Sequence, residues 1–237
     1  MAGQASSFAA GGDLPPSHLL AFGGAGFTNP EAQPLDDLAL ELTGAPRPKA
    51  CLIPTASGDA SPYVAAFYRT FARRVRCTHV SLFAREPEDL RELVFAQDLL
   101  YIGGGNTANL LALWRLHGLD VIVREAWKRG TVLVGVSAGA CALFDAGVSA
   151  SFGAVAPLYD GLGLIGGGFG PHYHERGPVL TEMVADGLSI GWGAGDTTAL
   201  HFVGDALQEA VGVGAGAEAF RLEAGQEPLA LPVRMLG

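Results

Sequence analysis

Ser137 is the residue around which chemistry is easiest to build. It lies in Thr131-Val-Leu-Val-Gly-Val-Ser137-Ala-Gly-Ala-Cys-Ala-Leu-Phe144, where an apolar, β-branched run passes through small residues into a helix-compatible stretch. A serine between a buried strand and a helix N-terminus, with Gly135 and Gly139 on either side, has the form of a nucleophile elbow. Glycines there would let the backbone turn sharply and present the hydroxyl outward. A helix beginning at Ala138 would offer unpaired N–H groups and a positive dipole end to an oxyanion. The competing reading is a tight strand-to-helix turn that happens to contain a serine.

A serine nucleophile needs a base, a group that orients the base, and donors for the oxyanion. Donors are offered by Ala138, which follows the serine, and by Gly104 or Gly105 in the Gly103-Gly104-Gly105-Asn106-Thr107 loop. A phosphate cradle would require a Lys-Ser/Thr pair after the glycines, and none follows. Among six histidines, His18, His79, His117 and His201 have structural readings at strand or helix ends or within a strand. His172 and His174 lie in a Gly/Pro-rich loop downstream, where functional groups concentrate, and His172 is the preferred base. The His-Tyr-His pair lacks a further ligand cluster, so no metal is expected. For the orienting acid, Asp145, Asp160, Glu175 and Asp196 are all available, and spacing does not choose among them.

The elements that must position these residues read as an α/β chain. Of 237 residues, 49% are hydrophobic and only 16% charged, enough for a sizeable core. The net charge of −9 and the lack of a polybasic surface argue against nucleic acid as a partner. Three dispersed cysteines (Cys51, Cys77, Cys141) suit reduced thiols and a cytoplasmic setting. No apolar run is long enough to span a membrane. Residues 1–16, rich in Ala, Gly and Ser, read as a loose tail rather than a signal peptide, and residues 17–237 as one domain.

Apolar runs at Ser17–Phe22, Lys49–Thr55, Thr78–Phe83, Gln97–Ile102 and Thr131–Val136 predict strands. Between them, helices are predicted from Leu35 to Gly44, from a Ser61 cap with Pro62, from Glu86 to Phe95, after Thr107, and from Leu119 to Arg129. Gly23-Gly24-Ala25-Gly26 fails as a dinucleotide loop because Asn29 stands where the last glycine belongs. Strands alternating with helices predict a mostly parallel sheet covered on both faces, with ligands beyond the carboxyl ends of the strands. After the elbow, 149–159 reads as loop and Pro178–Ala185 as a helix. Short strands from Ala199 to Met235 read as an antiparallel C-terminal extension of the same sheet.

Tyr101-Ile-Gly-Gly-Gly-Asn-Thr107, Gly135-Val-Ser-Ala-Gly-Ala140 and Gly170-Pro-His-Tyr173, in that order, resemble the peptidase E family of serine peptidases, aspartyl dipeptidases related to cyanophycinases. The resemblance implies a fold like class I glutamine amidotransferases, no cofactor, and hydrolysis of short peptides with an N-terminal Asp. It makes a homodimer plausible. It assigns Ser137 as nucleophile, His172 as base, and Gly104, Gly105 and Ala138 to the oxyanion hole. Asn106, Thr107 and Arg176 become candidate substrate contacts, with Arg176 the cation for a substrate carboxylate.

The chain departs from the family at one place: relatives carry the triad Asp where this sequence has Ala150. Asp196 lies where cyanophycinase-like relatives carry a Glu, and Glu175 or Asp160 are further substitutes. Without a substitute the chain would be a weak or silent homologue binding a small acidic ligand. A cyanophycin-type hydrolase is disfavoured, since the acid found two residues before that family's base is Gly170 here.

Overall fold

The computed structural model describes residues 15–84 and 89–237. In chain order, β1 (His18–Phe22) leads through a 3-10 turn into α1 (Gln33–Glu41), β2 (Lys49–Ile53), α2 (Ser61–Phe71) and β3 (Arg76–His79). Then come α3 (Leu90–Phe95), β4 (Leu99–Ile102), α4 (Thr107–His117), α5 (Leu119–Lys128), β5 (Val132–Val136) and a short α6 (Ala138–Cys141). The remainder is β6 (Phe144–Ser149), β7 (Ala156–Leu158), β8 (Ile165–Gly170), α7 (Tyr173–Ala185), β9 (Gly191–Ala194) and β10 (Thr198–Val203). The last strands are β11 (Ala206–Gly212), β12 (Ala219–Leu222), β13 (Leu229–Ala230) and β14 (Val233–Met235).

The larger sheet has the order β14-β11-β10-β1-β5-β4-β2-β3. From β1 to β3 all pairs are parallel, with β10 and β11 added antiparallel and β14 parallel to β11. This is the mostly parallel α/β sheet that the sequence predicts. Alternation along the strands divides the core. Leu20, Phe22, Leu52, Tyr101 and Val134 pack with Leu35, Phe67 and Phe71 of α1 and α2. Leu19, Ala21, Ile53, Ile102 and Leu133 face the other way, against Leu110 and Trp114 of α4 and Val123 of α5.

Beyond β10 and β11, which extend the first sheet antiparallel as the sequence predicts, a second sheet has the order β13-β12-β9-β8-β6-β7. Its residues Phe144, Phe169 and Trp192 share the core of the α4 and α5 face. The 149–159 stretch expected as loop contains β7, and β12 and β13 belong to this sheet rather than to the first. Its central strands escaped notice because they are glycine-rich and carry no period-two signal. The glycines are needed for packing: a Cβ at Gly191 would crowd Val184 at 3.0 Å and Leu180 at 3.1 Å, so α7 lies directly on the backbone.

Three helix boundaries also differ from expectation. Ala60, not Ser61, is the N-cap of α2, and it makes no side-chain cap bond. The predicted acidic helix begins at Leu90, capped by Asp89, which accepts from the Arg91 and Glu92 amides; positions 85–88, and 1–14 of the stretch 1–16 expected as a tail, lie outside the described residues. α7 starts at Tyr173, well before Pro178, so Pro178 lies inside the helix and leaves the His174 carbonyl without its i→i−4 donor.

Candidate active site

β5 delivers Ser137 to the carboxyl edge of the sheet with φ 50° and ψ −106°. A positive φ is uncommon for any residue but glycine and persists only where the surroundings enforce it. Here the Ser137 amide donates to the Phe22 carbonyl at 3.0 Å, tying the turn to the end of β1. The flanking glycines act differently from the sequence expectation, for neither takes a positive φ. A Cβ at Gly135 would stand 2.7 Å from the Ala140 backbone, and one at Gly139 would press on the Ile102 and Gly103 carbonyls. They let α6 settle against β5 and β4. α6 is only four residues long before the chain becomes β6, so little macrodipole is available. The Ala138 N–H, with no acceptor inside the helix, is the donor it supplies.

His172, the N-cap of α7, also has a left-handed backbone, φ 50° and ψ 49°. Its Nε2 lies 2.9 Å from Ser137 Oγ. On the other side of the ring, Nδ1 makes a short contact with Asp196 Oδ1 from the β9–β10 loop. Hydroxyl, imidazole and carboxylate thus stand in the relay order that a base-assisted serine nucleophile requires.

The loop after β1 holds this arrangement together. Gly23 O accepts from the His172 amide at 3.0 Å, Gly23 N donates to Thr198 O at 2.9 Å, and Ala25 N donates to Asp196 O at 2.6 Å. A Cβ at Gly24 would sit 2.5 Å from Asp196 Oδ1 and 2.7 Å from His172 Cε1. In the sequence these glycines read only as a failed dinucleotide loop. Their signal was position: a glycine run at the carboxyl end of a strand, on the edge that carries the elbow.

The other candidates separate. Asp160 is a correction, since it pairs with Arg115 at 2.5 Å on the surface. Glu175 is another: it lines a recess of about 480 Å³ together with His174, Thr197, Glu218, His172 and Asp196, but it is not the partner of Nδ1. Asp145 accepts from the Gly167 amide at 2.9 Å. Ala150 is exposed at the turn between β6 and β7. Gly104 lies beside the nucleophile, a Cβ on it being 3.7 Å from Ser137 Cβ. Gly105 has φ 141° and is pressed against the Ala56 carbonyl, a position open only to glycine.

Asn106 and Thr107 are engaged in local structure. Asn106 caps α4 by accepting from Asn109 N at 2.9 Å and donates to Ser151 O at 3.0 Å. Thr107 is buried and accepts from Ser149 Oγ at 3.2 Å. Arg176 is half-buried; its Nη1 donates to Val148 O at 3.0 Å, while its buried Nε has no acceptor among the described residues.

Two further side chains border the site. Tyr63 lays its ring over the glycine loop, where a Cβ at Gly103 would be 2.7 Å from Cε1, and burial pushes its phenol up to about 12. Cys141, one turn below Ser137, donates to the Val148 carbonyl, and burial pushes its thiol up to about 12. It is no rival nucleophile, because the thiolate is the reactive form. Among the described residues, no three His, Cys, Asp or Glu side chains gather as a metal site, and no helix is long and apolar enough to cross a membrane.

Comparison with known proteins is consistent with this geometry. The model of peptidase family S51 matches residues 19–210. The uncharacterized peptidase YgaJ of Bacillus subtilis (strain 168) is 41% identical over 229 residues, covering 92% of this chain and 99% of that protein. A crystal structure of a peptidase from an acI-B1 actinobacterium superposes with a TM-score of 0.64 at 19% identity, covering 91% of this chain and 97% of that one. A crystal structure from Listeria monocytogenes EGD-e gives 0.63 at 19% identity, covering 84% and 100%. The two structures share the fold, and the family match with the Bacillus relative establishes kinship: the chain belongs to peptidase family S51, the peptidase E family that its three motifs resemble.

Proposed function

We propose that the protein is a serine peptidase that hydrolyses short peptides through an acyl-enzyme on Ser137, with a preference for an N-terminal Asp. The observation that carries this reading is Ser137 Oγ at 2.9 Å from His172 Nε2, with the Asp196 carboxylate on the opposite ring nitrogen. Ser137 Oγ attacks the scissile carbonyl as Nε2 takes its proton. Asp196 holds the ring in the tautomer that leaves Nε2 free to accept, and steadies the imidazolium that forms. The Ala138 N–H and one amide of the Gly104–Gly105 loop are assigned to the developing oxyanion. His172 then protonates the departing amine, and water, activated by the same ring, releases the acyl group.

An inactive homologue was the alternative suggested by Ala150. Asp196 supplies the carboxylate that Ala150 lacks, which favours the enzyme. The Asp preference rests on family kinship and on electrostatics. The recess behind His172 carries Glu175, Asp196 and Glu218 and repels a substrate carboxylate. Arg176, with a buried Nε lacking an acceptor among the described residues, is the nearby cation suited to one.

The test is covalent labelling by a fluorophosphonate followed by peptide mapping, beside hydrolysis of an Asp-X and Ala-X dipeptide panel. Labelling at Ser137, loss of hydrolysis in Ser137→Ala, and a selective loss of Asp-X turnover in Arg176→Met are expected. Undiminished turnover in Ser137→Ala overturns the peptidase mechanism, and an unchanged Asp-X to Ala-X ratio in Arg176→Met overturns the specificity.

A further inference from the structure

Behind the site lies a buried carboxyl that the mechanism does not use. Asp36, on α1, is 1% exposed and packs among Phe67, Phe71, Leu99 and Tyr101. Its Oδ1 accepts from the Tyr101 hydroxyl at 2.8 Å, and its buried Oδ2 has no partner among the described residues. A carboxyl in such surroundings is expensive unless it holds something in place.

What it holds is a hydroxyl that joins the two halves of the site. Tyr101 belongs to β4, two residues before Gly103 opens the oxyanion loop. Its oxygen accepts from the Phe27 amide at 3.3 Å, and it lies so close under Gly26 that a Cβ there would collide with it. Gly26 and Phe27 continue the Gly23–Ala25 segment that bonds the backbones of His172 and Asp196. The ring of Phe27 in turn packs on Tyr101 and on Tyr63, at centroid distances of 5.2 and 4.8 Å, and Tyr63 covers Gly103. Because the Tyr101 hydroxyl donates its hydrogen to Asp36, an oxygen lone pair is directed to the Phe27 amide.

We propose that Asp36, acting through the Tyr101 hydroxyl, is a positioning residue that fixes the β1 loop carrying His172 and Asp196 against the strand carrying the oxyanion loop. The inference rests on the serine-peptidase reading above. It assigns the need to an acceptor at position 36, since Oδ1 alone makes the bond; an amide oxygen there serves equally well, and an apolar side chain of the same size does not.

The experiment compares Tyr101→Phe, Asp36→Asn and Asp36→Leu, with kcat divided by the concentration of Ser137 titrated by the fluorophosphonate, so that only folded sites count. Tyr101→Phe and Asp36→Leu are expected to lose about 10- to 100-fold in kcat per titrated site, the range for sub-ångström to one-ångström misplacement, with KM changed less than about twofold. Asp36→Asn is expected to stay within about threefold of the unsubstituted protein. A purely structural role lowers melting temperature while leaving kcat per titrated site unchanged in all three variants, and that result overturns the proposal. So does an Asp36→Asn variant as slow as Asp36→Leu. If Asp36→Leu yields no titratable protein, the other two decide: Tyr101→Phe slowed and Asp36→Asn not slowed supports it, and any other pattern overturns it. Failure of the unsubstituted protein to label at Ser137 overturns the parent reading and this inference with it.

Discussion

Gly24→Ala changes no group that takes part in the proposed chemistry, yet it should disable the site. The new methyl carbon would stand 2.5 Å from Asp196 Oδ1, 2.7 Å from His172 Cε1 and 2.8 Å from Nδ1. Ordinary contact begins near 3.5 Å, so one or both side chains must retreat by about 1 Å. Gly24 cannot retreat, because Gly23 and Ala25 on either side are bonded to His172, Thr198 and Asp196. The Asp196 side chain is 69% exposed and can swing into solvent, whereas the His172 side chain, at 30%, is confined. The expected result is an imidazole separated from its carboxylate. Misplacement by 1 Å costs about 10²-fold and loss of a triad acid about 10⁴-fold, so kcat should fall by 10² to 10⁴ with little change in KM. Because the displaced group moves outward, stability should fall by about 1 kcal/mol, the low end for overpacking. Steady-state kinetics on an Asp-X dipeptide, with thermal denaturation as the folding control, measures both. A folded Gly24→Ala protein with kcat within threefold of the original would refute the argument that the His172–Asp196 geometry matters.

Two further outcomes follow from the same coordinates. Ala150→Asp should alter kcat by less than about threefold, because Ala150 is exposed on a turn and His172 Nδ1 is already engaged by Asp196; a tenfold gain in steady-state kcat would show that position 196 does not serve as the acid. Asp36 should make stability fall as pH rises. Burial pushes its carboxyl up to about 7, so the unfolded chain ionises near its ordinary value while the folded one stays protonated. Between about pH 4 and 7 the fold should lose up to about 4 kcal/mol from this group and then level off. Urea titrations of the unsubstituted protein and Asp36→Asn across that range should diverge increasingly toward pH 7, and parallel curves would contradict the assignment.

How much of this was legible in the sequence differs between the two halves of the chain. From β1 to β5 all strands but β3 are near-continuous apolar runs and the helices carry apolar stripes, so the order of elements and the edge bearing the site could be read directly, whereas the polar edge strand β3 lies at Arg76–His79 rather than at the predicted Thr78–Phe83. Ser137 and His172 were legible because a serine between glycines after a buried strand, and a histidine in a Gly/Pro loop, have few other uses. The second sheet was hidden where its central strands are built from Ile165-Gly-Gly-Gly-Phe-Gly170 and Gly191-Trp-Gly-Ala194. Gly170, Gly191 and Gly193 are required by the close approach of α7, a tertiary fact with no local pattern. The choice of Asp196 over Glu175 and Asp160 was likewise tertiary, set by backbone bonds from Gly23 and Ala25 across the β1–β10 pair. Gly24 and Asp36 were missed for the same reason: one matters through the side chain it lacks, the other through a hydroxyl sixty-five residues away.

The central claim is that the acid steadying His172 stands at position 196. Asp196→Asn tests it most directly, since it keeps the size of the side chain and removes its charge. With protein quantified by fluorophosphonate titration, kcat on an Asp-X dipeptide should drop by about 10³ to 10⁴, with KM nearly unchanged and Ser137 still labelled, more slowly. An Asp196→Asn protein that turns over within threefold of the unsubstituted one would contradict the account.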